Sequence, residues 1–198
     1  MLQFINIGVS FVLPILAQDY LNTAPFTAGL ILFPGSLLGA AIAPYAGRLL
    51  DKRGALLPLT IANTSMFLGC WLFYFGMPIL SAGTMVLIYI FLRVGFNFGF
   101  GNTLSDASKQ VSLEERADIN SLFNTFQQYA GSLGTSVLSA VISTIQLQGD
   151  STLGMLTARG SQIDFILLAV LAGTGLLTVF ICQHLKRKNT SMSSFKEL

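Results

Sequence analysis

Eight residues constrain the fold of this chain more than any other stretch. Gly47-Arg48-Leu49-Leu50-Asp51-Lys52-Arg53-Gly54 is dense in charge and glycine, and it separates two apolar runs, residues 28–46 and 55–76. Each run is close to the roughly 20 residues a helix needs to cross the hydrocarbon core of a bilayer. A charged turn between two such runs reads as a short loop on one face of a membrane. Short loops rich in Lys and Arg stay on the cytoplasmic side. The reading puts Arg48, Lys52 and Arg53 in the cytoplasm and thereby orients the rest of the chain.

Composition agrees with a membrane solvent. The chain is 53% hydrophobic and only 10% charged, whereas a soluble domain carries about 25% charged residues. Six apolar runs occur in all: residues 4–17 (extended by Leu2 and Leu21), 28–46 (interrupted by Pro34 and Pro44), 55–76, 85–104, 119–145 and 163–185. The expected fold class is an all-α membrane protein, a six-transmembrane-helix bundle over residues 1–185. A polar cytoplasmic tail over 186–198 is expected to anchor at lipid headgroups and then to be disordered.

The orientation can be checked against the remaining charges. With the Arg48 stretch inside, Lys109, Arg116, Lys186, Arg187, Lys188 and Lys196 also fall inside, Arg159 falls outside, and Arg93 lies within a helix. That split places nine basic residues inside against one outside, as the positive-inside rule requires. Both termini are then cytoplasmic and the expected location is the plasma membrane. No basic residue precedes the first run, so no cleaved signal peptide is expected. Cys70 and Cys182 sit in apolar runs without ligand-spaced partners and read as small buried hydrophobes. A net charge of +2, spread among loops, excludes a nucleic-acid surface.

The eight-residue stretch also resembles the loop motif of the major facilitator superfamily in a shortened form, G-R-x-x-D-K-x-G, with Ala55 where the fuller motif often closes on a basic residue. With Pro34-Gly35 upstream and Gly131-Ser132-Leu133-Gly134 downstream, the chain resembles the C-terminal half of fourteen-helix drug:proton antiporters of the EmrB/QacA type. That resemblance implies half of a two-bundle transporter for hydrophobic or cationic small molecules. Its partners would be a small-molecule substrate, membrane lipid, and an N-terminal half in the same or a separate chain. No cofactor is implied. It also implies that Gly47, Arg48, Asp51, Lys52, Arg53 and Gly54 hold an inner gate closed. Two alternatives stand beside it: another facilitator, such as a sugar or amino-acid permease, and a truncated remnant without transport. An enzyme is disfavoured, because the chain has no G-x-S-x-G, no H-E-x-x-H and no intramembrane pair of aspartates.

Candidate pathway residues follow from polarity in apolar runs. Arg93 lies midway along the fourth run, where a charge costs roughly 2.5–3.5 kcal/mol on insertion scales. It should therefore face a cavity or a bonding partner. Asn97, four residues on, shares its face. In the fifth run Gln128, Ser132, Thr135 and Ser139 form one stripe, with Asn120, Asn124 and Gln127 extending it. Gln128 reads as facing a cavity, and Gly131 and Gly134 as packing positions. Asn6 and Ser10, one turn apart, precede Pro14. Asp51 is expected just before the third helix, stabilised by its N-terminus and bridged by Arg48 or Arg53. Gly47 and Gly54 are expected to turn the chain. Ser112 and Glu115 match a capping box that starts the fifth helix. Asp19, Asp106, Asp118 and Asp164 all read as lying near helix ends, so a proton carrier is expected in the other half. His184 reads as interfacial.

Overall fold

The fold was obtained as a computed structural model, which describes the backbone of residues 1–196 and the side chains of residues 1–185. Seven α-helices follow one another: α1 Leu2–Asp19, α2 Pro25–Leu30, α3 Leu32–Arg53, α4 Leu56–Gly76, α5 Ala82–Lys109, α6 Arg116–Gln148 and α7 Leu153–Lys196. Helices α2 and α3 together make one span, Pro25–Arg53, so among the described residues six stretches are long and apolar enough to cross a membrane. The protein is an integral membrane bundle, as its sequence implies. Over residues 186–196 the backbone continues α7, so the disorder expected of the tail is not seen there, and its side chains lie outside those described.

The break between α2 and α3 has a local cause. Pro34 has no N–H to offer the Leu30 carbonyl, and α2 ends at Leu30. Pro14 and Pro44 are carried inside α1 and α3, so the expected interruption at Pro44 does not occur. The absence of any break shows that neighbouring packing absorbs the lost bond, as it does in membrane helices.

Helix α1 runs through the centre of the bundle. Ile5, Val12, Leu13, Leu16 and Ala17 are all 0% exposed, and α1 packs against α5, α6 and α7. A second layer forms where α5 packs against α3 and α4, and α4 against α7. Small residues set the distances. A Cβ on Gly134 would lie 3.0 Å from the Phe4 carbonyl oxygen, so the backbones of α6 and α1 meet there. Gly131 is closed off by Ile7 in the same way. Both glycines are thus packing positions. By contrast Phe26, Phe75, Ile79 and Leu147 are exposed, which suits lipid and not water.

Several helices overrun the runs that hydropathy marks, and three expectations change as a result. The charged stretch from Gly47 is not a loop: it forms the last two turns of α3. Gly47 is helical, and only Gly54 turns the chain, at φ 74°. Asp51 therefore sits in the last turn of α3, not before α4. Arg159, expected in a loop, lies in the second turn of α7. Cys182 is exposed, while Cys70 is buried.

Candidate functional site

The polar groups gather in three places. The first is near the middle of the bundle. Arg93, twelfth residue of α5, donates from Nη1 to Asn6 Oδ1 on α1. Its Nε is buried without a partner, and its guanidinium lies 5.2 Å from the Phe96 ring centroid. Asn97 donates to the Arg93 carbonyl at 2.8 Å. One turn earlier the hydroxyls of Tyr89 and Ser10 are bonded at 3.2 Å. Glycines on α3 let α5 approach this point. A Cβ on Gly35 would come 2.5 Å from the Tyr89 ring, and one on Gly39 would collide with the Asn97 amide. The void beside Asn6 and Arg93 is only about 10 Å³, the size of a single water position. Within this bundle the charge is thus compensated by a side-chain bond, the alternative to a cavity that its depth demands.

The other residues singled out on sequence grounds are not brought here. Asn124 and Gln128 on α6 are exposed, as are Phe126 and Tyr129 beside them. Asn124 and Gln128 lie on an exposed face, while Phe126 and Tyr129 border a cleft of about 580 Å³ shared with Phe4 of α1 and Leu167 and Val170 of α7.

The second place is the end of the bundle where α3 and α5 finish. Lys109 Nζ bonds Asp51 Oδ1 at 3.0 Å, replacing the bridge to Arg48 or Arg53 expected from neighbouring residues. A carboxylate in the last turn of a helix is disfavoured by the helix dipole, and the lysine offsets it. Both side chains are more than half exposed, so the pair contributes at most about 1 kcal/mol. Arg48 instead lies over the Tyr45 ring at 5.5 Å. Below them buried Asn102, unmarked by any sequence motif, donates to the Ala46 carbonyl at 2.9 Å and ties α5 to α3.

Next to this end the Ser112–Glu115 bonds form as expected: Ser112 N–H to Glu115 Oε2 at 3.0 Å and Glu115 N–H to Ser112 Oγ at 3.4 Å. These side-chain and backbone bonds from Ser112 hold the Glu115 carboxyl below its usual range. The box does not start the helix, however. It closes a turn of its own, and α6 begins at Arg116.

The third place lies at the opposite end and was missed. Thr157 Oγ1 donates to Asp19 Oδ2 at 2.9 Å and accepts from Gln146 Nε2 at 2.8 Å. Further along α7 lies Asp164, 0% exposed, with neither carboxylate oxygen bonded. This overturns the expectation that no acidic residue lies deep. Asp164 is the twelfth residue of α7, about 16 Å into the helix at 1.5 Å per residue. Its place in the sequence reads as a helix end because the apolar run begins at Ile163, whereas α7 begins ten residues earlier. The spacing of Thr157, Ser161 and Asp164, four and three residues, was the available signal.

Comparison with known proteins follows the same lines. The sequence model of the Major Facilitator Superfamily matches residues 1–135. The chain is 28% identical over 182 residues to the lincomycin resistance protein LmrB of Listeria monocytogenes, covering 86% of this chain and 38% of that one. It is 27% identical over 183 residues to the LmrB of Bacillus subtilis, covering 88% and 38%. It is 28% identical over 141 residues to the riboflavin transporter RibZ of Clostridioides difficile, covering 69% and 30%. The chain thus spans about two fifths of the length of these LmrB relatives. No solved structure matches it.

Proposed function

This chain belongs to the major facilitator superfamily, and we propose that it is the C-terminal bundle of a proton-coupled efflux transporter for drugs or other hydrophobic or cationic small molecules. The observation that carries the reading is a six-span bundle with a polar, exposed α6 face and a family match over most of its length. Such transporters pair two six-helix halves and move substrate between them. The Asn124 and Gln128 face is the wall such a site would use, with Arg93, Asn97 and Asn6 behind it as the fixed core of the wall. Two relatives carry lincomycin resistance in their names, which makes lincosamides the first substrates to try.

The gate belongs to the same proposal. Arg48, Lys52 and Arg53 stand exposed at the end of α3 beside the Asp51–Lys109 pair. Their positions suit contact with the other half. In the complete transporter Asp51→Asn is expected to leave folding within about 1 kcal/mol of wild type and to reduce lincomycin efflux sharply. Efflux at the wild-type rate would reduce Asp51 to a solvated surface charge.

Orientation is the remaining part. The basic residues at the Arg53 and Lys109 end support a cytoplasmic placement for it, and the Asp19–Thr157 end is then external. Single cysteines at Gly83 and Arg159, in a background without Cys70 and Cys182, are expected to react with an impermeant thiol reagent from outside. Cysteines at Lys52 and Lys109 are expected to be protected. External labelling at Lys52 would invert the topology.

A further inference from the structure

Thr157, Ser161 and Asp164 share one face of α7, because residues three and four apart are neighbours on a helix. All three are 0% exposed. Thr157 is satisfied through Asp19 and Gln146, but Ser161 Oγ and both oxygens of Asp164 have no partner. The surroundings are apolar: neighbouring Phe165 stacks on Phe73 of α4 at 4.7 Å, and Leu168 and Ala169 are buried.

We propose that Asp164 is a reversible proton-binding site, loaded from the Asp19 end of the bundle along the Thr157–Ser161 face. An ionised carboxylate buried with no donor is costly, and taking up a proton removes the charge without adding an atom. A metal cation would need several further oxygen ligands. Among the described residues no three His, Cys, Asp or Glu side chains are grouped to hold one.

Other charges do not answer for Asp164. The titratable groups on the helices packed against α7 are the Met1 ammonium at the start of α1, Asp19 and Tyr20 at its end, and Cys70 and Tyr74 on α4. Those on α6 are Arg116, Asp118 and Tyr129, toward the opposite end. None is bonded to Asp164. On α7 itself Arg159 is exposed on another face.

The proposed route starts at the end of the bundle where α1 finishes. A cleft of about 550 Å³, lined by Gln18, Asp19, Asn22, Thr152 and Gly154, opens where α1 ends and α7 begins. Asp19 borders it and accepts from Thr157. The steps from Thr157 to Ser161 and on to Asp164 rise about 6 Å and 4.5 Å along the helix, so in this proposal a water enters at each step to carry the proton. Loading takes a proton from hydronium in the cleft and forms an O–H bond on Asp164. Release breaks that bond and returns the proton to water.

Proton binding here stands independently of transport, while its use in coupling rests on the transporter reading above. The test is infrared difference spectroscopy of the full chain in lipid nanodiscs across a pH titration. The expected result is a pH-dependent carboxylic-acid carbonyl band that is lost in Asp164→Asn and kept in Asp19→Asn. Ser161→Ala, a small change that leaves the acid in place, should shift the band without removing it. A wild-type chain with no such band, or a band that survives Asp164→Asn, would overturn the site. An unshifted band in folded Ser161→Ala would overturn the route. A complete transporter that moves no drug would sink the transport reading and leave the band standing.

Discussion

Replacing Asn6 by leucine is expected to damage the bundle more than replacing Arg93 by leucine, although Arg93 is the larger and charged partner. The two residues are joined through Arg93 Nη1 and Asn6 Oδ1. Leucine at position 6 leaves a guanidinium near mid-span without its acceptor, in addition to an Nε already unpaired. A hydrogen bond to a charged group contributes about 1.5–3 kcal/mol, and the stranded charge costs more. Leucine at position 93 does the opposite. It strands only the neutral Asn6 amide, at about 1–3 kcal/mol, and removes a charge that costs roughly 2.5–3.5 kcal/mol at helix centre. Those two effects nearly cancel, so Arg93→Leu should lie within about 1 kcal/mol of wild type. The double variant strands neither group and should be at least as stable as Arg93→Leu. Denaturation of the full chain in detergent measures all three. If Arg93→Leu proves as unstable as Asn6→Leu, the guanidinium is held by more than Asn6.

By itself the chain is expected to insert into a membrane and move no drug. Alternating access rocks one bundle against another around a shared site. Here α6 leaves Asn124 and Gln128 exposed among the described residues, so this bundle supplies one wall of such a site. With one wall alone no gate can open on one side while closing on the other. Vesicles holding only this chain should show no saturable efflux of a fluorescent cationic dye or of lincomycin. Supplying the N-terminal half should restore it. Strong efflux by the chain alone would replace the half-transporter reading with a homo-oligomer in which two copies provide both walls.

The sequence determined the number of spans, the solvent and the family. Apolar runs near 20 residues leave a chain little choice, since backbone groups in lipid must be bonded within a helix. The charged residues after Gly47 carried the family likeness, which the match over residues 1–135 bears out. Hydropathy reports where side chains prefer oil, not where backbone hydrogen bonds stop. Helix ends were therefore misjudged wherever polar residues continued a helix. The Gly47–Arg53 stretch became two helical turns, and α7 gained ten residues before Ile163. Shortening α7 in that way hid the most deeply buried acid, Asp164. Partners were hidden for another reason. Arg93 meets Asn6 across 87 residues, Lys109 meets Asp51 across 58, and Thr157 meets Asp19 across 138. The packing of α1 against α5 and α7, and of α3 against α5, decides those pairings, because a bond between distant residues depends on which helices lie side by side.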